Sequence, residues 1–252
     1  MKVVILAGGF GSRLSEETIT KPKPMVKINK KPFLWYILKY YSYYGQKNFI
    51  ICAGYKWLFI KKYFQNKSIK IETVIFKKKK IQKYWTKEGW SVIVVNTGLN
   101  TMTGGRIKKI GFLLNNDEKF LLTYGDGITN ANLKKIIKFH KSHKKLATVL
   151  AVQPPARFGS LEIQNNFVKK FTEKLKGSDG WINGGFFVLS KTVIKYIKGD
   201  RTVWEKEPLK KISKLKELKA YKHSSLWMAM DTLRDKRNIE TTLKEKKWHI
   251  FK

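Results

Sequence analysis

The sequence predicts an α/β fold, a mostly parallel, Rossmann-like sheet flanked by helices, with a small antiparallel β extension toward the C-terminus. Three observations predict it. Short apolar runs rich in β-branched residues alternate with stretches of helical periodicity through the first half of the chain, the pattern of parallel strands joined by crossover helices. A glycine-rich turn, Gly8-Gly9-Phe10-Gly11, follows the first of these runs directly. From Leu146 onward strands follow one another closely instead. The chain has 252 residues and carries neither internal repeats nor a Ser/Pro-rich linker, so one domain over residues 1–252 with a full core is expected.

Taken in order, Lys2 to Leu6 reads as a buried first strand. Pro22 and Pro24 are expected to keep a helix from starting directly after the glycine turn. Phe33 to Tyr44 places aromatic and aliphatic residues at helical spacing, and Gly45 closes it. Phe49 to Ala53 is a second buried strand, and Tyr55 to Phe64 a helix with Trp57, Ile60 and Phe64 on one side. Residues 66–90 break this rhythm, and Lys77 to Lys80 form a block of like charge. That region reads as a solvated loop, or as a lid over a triphosphate. Val92 to Val95 is a strand, Arg106 to Leu114 a helix, and Phe120 to Tyr124 a buried strand ending at Gly125-Asp126-Gly127. Asn132 to Lys144 is a helix whose His140 and His143 are expected on a solvated face, since nothing nearby completes a metal site. Strands follow at Ala147 to Val152, Gly159 to Ile163, Phe167 to Glu173 and Trp181 to Leu189. Helices at Lys191 to Ile197 and Glu205 to Leu215, a strand at Glu217 to Tyr221 and a helix near Thr232 to Lys244 complete the chain.

The formal charge is +35, from 53 basic against 18 acidic residues. A nucleic-acid surface is normally local and often Arg-rich. Here lysines decorate nearly every element and only six of the basic residues are Arg. With no recognisable nucleic-acid module, the charge reads as solvated faces and a general attraction for anionic substrates. A basic nucleic-acid-binding protein remains the alternative from another class. No segment has the apolar length to span a bilayer, residues 1–14 read as strand and loop rather than signal peptide, and Cys52 stands alone. A cytoplasmic protein without nucleic-acid or membrane partners is expected. Where lysine is this abundant, arginine marks positions that need a planar fork. Arg13, Arg106, Arg157 and Arg234 all lie beside glycine-rich or otherwise distinctive stretches.

The chemistry centres on Leu6-Ala7-Gly8-Gly9-Phe10-Gly11-Ser12-Arg13-Leu14, followed by Lys21-Pro22-Lys23-Pro24-Met25. Three glycines leave backbone N–H groups bare to approach a phosphate chain. Arg13 adds a fork of donors and Lys23 a mobile point charge. A Walker A loop would need Gly-Lys followed by Ser or Thr, and the dinucleotide fingerprint would need glycine where Leu14 stands. A turn that merely connects two elements seldom carries an Arg and two Lys-Pro pairs, so this loop is expected to bind a nucleotide. Asp126, held between glycines at the end of an apolar strand, projects a carboxylate into the ligand crevice of such a sheet. Asp231, in Trp227-Met228-Ala229-Met230-Asp231-Thr232, is its candidate partner for a shared Mg²⁺, an ion that takes one or two carboxylates plus phosphate. The last helix offers Asp231 an equally good role as its N-cap.

The glycine loop resembles the signature of the sugar-1-phosphate nucleotidyltransferases. Ser15-Glu16-Glu17-Thr18 with Lys21-Pro22-Lys23-Pro24-Met25 is similar to one branch, the glucose-1-phosphate cytidylyltransferases. The resemblance runs over essentially the whole chain and implies the nucleotide-diphospho-sugar transferase fold, with a nucleotide-binding half at 1–145 and a sugar-phosphate-binding half at 146–252. It implies Mg²⁺-dependent transfer from CTP to glucose 1-phosphate, giving CDP-glucose and pyrophosphate for deoxysugar and surface polysaccharide synthesis, by a homo-oligomer. Asp126 and Asp231 match the family's magnesium aspartates, which tips Asp231 toward the metal. Arg13, Lys23 and Asp126 would be catalytic, and Leu6 through Arg13, Lys23 and Gly125 would bind the nucleotide. Thr97-Gly98 with Thr101-Met102-Thr103-Gly104-Gly105-Arg106 is similar to the segment that reads the nucleotide, which puts Thr101 and Arg106 near base or ribose. Trp181-Ile182-Asn183-Gly184-Gly185-Phe186-Phe187 resembles the wall around the sugar, with Asn183 available for hydroxyl groups. Gln153-Pro154-Pro155 with Arg157-Phe158-Gly159 is a further landmark. Glu173-Lys174-Leu175-Lys176-Gly177 resembles the motif in which the first Lys holds the sugar phosphate and the Glu the hexose, with Leu175 replacing its proline. Asn29-Lys30-Lys31 replaces the usual glycines before Pro32, in a region expected to be peripheral. The same reaction with UTP, dTTP or GTP, or with another hexose phosphate, is the nearest alternative. A glycosyltransferase would more often carry Asp-x-Asp than Gly125-Asp126-Gly127.

Overall fold

The computed structural model describes residues 1–76, 79–114, 118–154, 160–164, 167–172, 180–245, 248 and 250. β1 (Lys2–Ala7) runs into the glycine turn, and a 3-10 turn at Ser12–Leu14 leads straight into α1 (Ser15–Thr18). Pro22 and Pro24 therefore shorten the helical segment after the loop and do not forbid it, because one turn is complete before either is reached. A second 3-10 turn at Lys23–Met25 precedes a tight hairpin of β2 (Lys27–Ile28) and β3 (Lys31–Pro32). Its two turn residues, Asn29 and Lys30, both hold positive φ, 44° and 71°, the geometry that glycine occupies most cheaply. Next come α2 (Phe33–Tyr43), β4 (Asn48–Ala53) and α3 (Trp57–Lys67), then β5 (Ser68–Phe76), β6 (Lys79–Thr86) and β7 (Ser91–Asn96). The chain continues through α4 (Thr103–Ile110), β8 (Lys119–Tyr124), β9 (Gly127–Thr129), α5 (Leu133–His143) and β10 (Ala147–Val152). After β11 (Ser160–Gln164) and β12 (Phe167–Thr172) follow β13 (Ile182–Ser190), α6 (Glu207–Lys214), β14 (Leu218–His223), β15 (Trp227–Ala229) and α7 (Leu233–Lys244).

Among the described residues the central sheet has nine strands in the order β14-β10-β13-β8-β1-β4-β7-β6-β5. Its middle, β8-β1-β4-β7, is parallel, while β13 runs antiparallel between β8 and β10. β11 and β12 form a separate antiparallel pair, the small extension that the close-set strands predicted. Alternation along β1 sorts the core into two layers, as a sheet covered on both faces requires. Val3, Ile5 and Ala7 join the layer under α2, α3, α5 and α7. Val4 and Leu6 join the layer under α4 and α6.

Residues 68–86 are neither a loop nor a lid: β5 and β6 pair with each other and then with β7, extending the sheet to one edge. The strand pattern was hidden because one face of this edge hairpin stays wet and the other is covered only in part, at Phe76, Ile81, Tyr84 and Thr86. Ile69, Ile71 and Ile75 are exposed there, and lysines interrupt the alternation, as they do on edges protected against further pairing. Residues 77 and 78 of the lysine block lie outside the described residues. The segment Lys191–Tyr196 is 3-10 rather than α-helical. His140 does not face solvent. It is only 1% exposed, with its Nδ1 3.0 Å from Thr148 Oγ1 on β10.

The topology also fixes where a ligand can sit. After β1 the chain moves to β4 and β7 on one side, then returns to place β8 on the other side of β1. The crevice beyond the carboxyl ends of β1 and β8 is thus a topological switch point, where open α/β sheets bind ligands. The glycine loop leaves β1 and Gly125-Asp126 leaves β8 at that place. No helix among the described residues is long and apolar enough to cross a membrane.

Candidate active site

A cleft of about 470 Å³ opens at this switch point, lined by the glycine loop, Lys23, Pro24, the residues from Thr101 to Thr103, Arg106, the end of β8 and Glu205. Gly11, at φ 70°, turns the loop, and a Cβ there would stand 2.9 Å from Thr18 Cγ2. Thr18, 3% exposed, donates to the carbonyls of Leu14 and Gly11 and holds the turn from behind. Leu6, Ala7, Gly8, Gly9, Gly11, Ser12 and Arg13 all line the cleft. Phe10 turns outward and packs its ring on Tyr55, centroids 5.4 Å apart.

Lys23 is the centre of charge. Its side chain is buried, and its Nζ donates to Asp126 Oδ2 at 2.8 Å and to Asp231 Oδ1 at 2.7 Å. Burial works against the ammonium, but the two carboxylates outweigh it and hold its pKa above the ordinary lysine value. Arg13 donates to the other oxygen of Asp231 at 2.9 Å from a largely exposed position. Two carboxylates far apart in sequence thus converge on one cation at the mouth of the glycine loop.

A short ladder brings them together. β9, immediately after Asp126, pairs antiparallel with β15, immediately before Met230 and Asp231. The Met230 N–H closes the ladder on the Asp126 carbonyl at 2.8 Å. Asp231 is not the helix cap. Thr232 takes that role, its Oγ1 accepting from the Asp235 N–H while Asp235 Oδ2 accepts from the N–H groups of Thr232 and Asp231. This capping box satisfies the head of α7 and leaves the Asp231 carboxylate for the cleft.

Arg106, expected near base or ribose, lines the cleft. It stands in the cleft wall, 4% exposed, but its guanidinium faces backbone. Nη1 donates to the carbonyls of Ala53 and Gly98 and to Thr97 Oγ1, and Nη2 to the carbonyls of Gly8 and Leu99. A Cβ on Gly8 would lie 2.1 Å from this group and one on Gly54 2.4 Å. Two glycines therefore make room for a fork that ties the glycine loop to the ends of β4 and β7. Thr101, 6% exposed, also lines the cleft, and its Oγ1 accepts from Lys109 Nζ at 3.0 Å.

Gly125 packs against Pro24, whose Cγ would be 2.8 Å from an added Cβ, so only glycine lets Asp126 approach Lys23 here. Asn183 lies on β13 at the rim and donates to the Tyr124 hydroxyl at 3.3 Å. Glu173 and Lys174 lie outside the described residues, as do Pro155, Arg157 and Phe158. Sequence reasoning did not single out Tyr124 and Glu205, which both line the cleft. Glu205 was assigned to the start of a helix that in fact begins at Glu207, and nothing in its local pattern marks it as a cleft residue. Among the described residues no group of three or more His, Cys, Asp or Glu gathers to hold a metal, so a cation here would rely on the Asp126 and Asp231 pair.

Residues 2–236 match the nucleotidyl transferase family. Over 243 residues, 95% of each chain, the protein is 51% identical to a glucose-1-phosphate cytidylyltransferase of Salmonella typhi. A D-glycero-alpha-D-manno-heptose 1-phosphate guanylyltransferase of Aneurinibacillus thermoaerophilus is 32% identical over 77% of each chain. The crystal structure of HddC from Yersinia pseudotuberculosis superposes with a TM-score of 0.69 at 27% identity, covering 96% of this chain and 99% of that one.

Proposed function

The chain belongs to the nucleotidyl transferase family, on the glucose-1-phosphate cytidylyltransferase branch, and from that premise we propose that it transfers the cytidylyl group of CTP to glucose 1-phosphate, releasing pyrophosphate and CDP-glucose. The observation that carries the reading is Lys23 bridging Asp126 and Asp231 at the mouth of the glycine loop. That arrangement brings the glycine-loop amides, two cations and two carboxylates around one point.

A sugar-phosphate oxygen attacks the α-phosphorus of CTP in line, and pyrophosphate leaves. With a second pKa of about 6, the attacking monoester is already largely dianionic near neutral pH and needs no general base. The protein's work is alignment and charge stabilisation. The loop amides and Arg13 steady the departing pyrophosphate, and Lys23 serves the α-phosphate. Thr101 faces the nucleoside, while Arg106 keeps the loops that wall it in place. By the resemblance, Lys174 orients the sugar phosphate, and Glu173 and Asn183 meet the hexose.

Asp126 and Asp231 suit a divalent cation, because two oxygen donors aim at a point where a positive charge already stands. Mg²⁺ held there supplies charge neutralisation on the reacting phosphates. Asp126 and Asp231 would hold that ion, and Lys23, which lies between them, would supply a second positive charge beside it. The same reading extends to a nucleotide-binding half at 1–145 and a sugar-phosphate half at 146–252, a cytoplasmic setting, self-association, and a product that feeds deoxysugar and surface polysaccharide synthesis. Pyrophosphate release from CTP, UTP, dTTP and GTP with glucose 1-phosphate tests the central claim. CTP is expected to be preferred by at least about tenfold, roughly one good recognition contact. Equal rates with all four would refute the cytidylyl assignment and leave only the family.

A further inference from the structure

Three glycines of the sequence shape the surroundings of one pair of side chains that the proposed reaction does not yet use. Gly104 and Gly105, at the head of α4, admit the backbone of residues 200–202. A Cβ on either would lie 2.7 Å from Thr202 O or 2.4 Å from Asp200 O. That close approach sets the segment that delivers Glu205 to the cleft. Gly185 on β13, at φ 79°, makes room for the Tyr124 ring, since a Cβ there would lie 2.6 Å from Tyr124 Cδ2. Both walls of the cleft are thereby shaped around Tyr124 and Glu205.

The hydrogen bonds between them have a fixed direction. A carboxylate offers only acceptors. Glu205 Oε1 accepts from the Tyr124 hydroxyl and Oε2 from Thr103 Oγ1 at 2.7 Å. Each hydroxyl then has its oxygen left to accept. Thr103 takes the Trp204 N–H at 2.9 Å, and Tyr124 takes Asn183 Nδ2 at 3.3 Å. The Asn183 Oδ1 in turn accepts from the Gly185 N–H at 2.8 Å. The chain of donors determines which way the Asn183 amide faces: Oδ1 toward β13 and Nδ2 toward Tyr124. Its second Nδ2 hydrogen has no acceptor among the described residues. Burial, with Glu205 beside it, raises the Tyr124 pKa and keeps the phenol a donor.

We propose that Glu205 is a positioning residue that acts through Tyr124 to orient Asn183 toward the hydroxyl groups of the sugar phosphate. This rests on the cytidylyl-transfer reading. Glu205 makes the chain one-directional, and its link to Thr103 ties the sugar wall to the head of α4, on the nucleotide side of the cleft. An amide at position 205 has one acceptor and one donor group and cannot receive both hydroxyls, so the order of the chain is lost.

The test compares Tyr124→Phe, Glu205→Gln, Asn183→Ala and the double variant Tyr124→Phe/Asn183→Ala by steady-state pyrophosphate release, varying CTP and glucose 1-phosphate separately. Each single variant is expected to raise KM for glucose 1-phosphate by about tenfold, the equivalent of one well-oriented hydrogen bond. KM for CTP should change by less than about twofold, and the double variant should be no worse than Asn183→Ala alone. Equal rises in both KM values, or losses that multiply in the double variant, would overturn the proposal, since Tyr124 would then act independently of Asn183. Tyr124→Phe keeps the packing of the ring and carries the test if Glu205→Gln fails to fold. A wild-type protein that releases no pyrophosphate from CTP and glucose 1-phosphate would overturn the functional reading and this inference together. Active wild type with unaltered variants would overturn this inference alone.

Discussion

Two buried cations, Lys23 and Arg106, line the same cleft, and their surroundings differ in kind. Arg106 is met by neutral oxygens: four carbonyls and one hydroxyl from three loops. Lys23 is met by two carboxylates. Without the guanidinium the Ala53 carbonyl keeps the Thr97 N–H and Oγ1, and the Gly8 carbonyl keeps the Tyr55 N–H. The Gly98 and Leu99 carbonyls, however, lose the donor that ties their loop to the glycine turn, and an unpaired buried polar group is costly. A pair of carboxylates, in contrast, can exchange one cation for another. The first arrangement builds the wall and the second is equipped to react. Burial alone does not separate them; the chemistry of the acceptors does.

The largest test of this contrast is Asp126→Ala. Turnover should fall by more than about 10³-fold, the scale of losing a metal or transition-state ligand, while urea unfolding shifts by no more than about 1 kcal/mol. Near-normal pyrophosphate release would detach the carboxylate pair from catalysis. Arg106→Ala should do the reverse and lower unfolding free energy by about 2 kcal/mol, because the Gly98 and Leu99 carbonyls lose their donor and the loops lose the side chain that ties them together. A variant as stable as the wild type in urea would erase the distinction between the two centres. Arg13→Ala, at a largely exposed position whose partner among the described residues is Asp231, is expected to slow turnover about 10²-fold as one transition-state donor is lost, with stability unchanged. A slowing below threefold would remove Arg13 from the reaction.

The remaining predictions lie away from the cleft and sharpen the point that burial without exchangeable charge is structural. Burial first, then His143 and Lys119, push the pKa of His140 down to about 4. The folded state therefore favours neutral His140, so its stabilising share is fully present above the unfolded pKa of about 6.5 and is lost as pH falls toward about 4. Between pH 7 and pH 5 the wild type should lose about 2 kcal/mol through this group, and His140→Phe should be spared that loss in parallel urea titrations. Identical pH dependence in the two proteins would reject it. The smallest expected effect is at Lys30, whose φ of 71° favours glycine: Lys30→Gly should raise the unfolding free energy by about 0.5–1 kcal/mol. A lower Tm in that variant would show that the lysine side chain contributes more than its backbone strain costs.

Much of the architecture was legible in one dimension because it depends on local signals. The parallel strands β1, β4, β7 and β8 are short apolar runs buried on both faces, and α2 and α5 show plain helical spacing. Asn132 caps α5 as its residue type suggests, accepting from the Lys135 N–H. The edge hairpin β5–β6 was illegible for the opposite reason, since an edge has no wholly buried face to impose a pattern. His140 was misplaced because neighbouring lysines made its side of the helix look solvated. The role of Asp231 stayed open until the Thr232 and Asp235 capping box released it from the helix end.

The sequence by itself determined the fold class, the phosphate loop, the family resemblance and the identity of the chief charged groups, since glycine content, periodicity and residue type act over a few positions. Tertiary structure alone decided that Asp126 and Asp231 share one cation, that Arg106 faces carbonyls, and that Glu205 reaches the cleft. Those facts depend on the β9–β15 register and on loops brought close at glycines, and hydrogen-bond registers between distant segments leave no periodic trace along the chain.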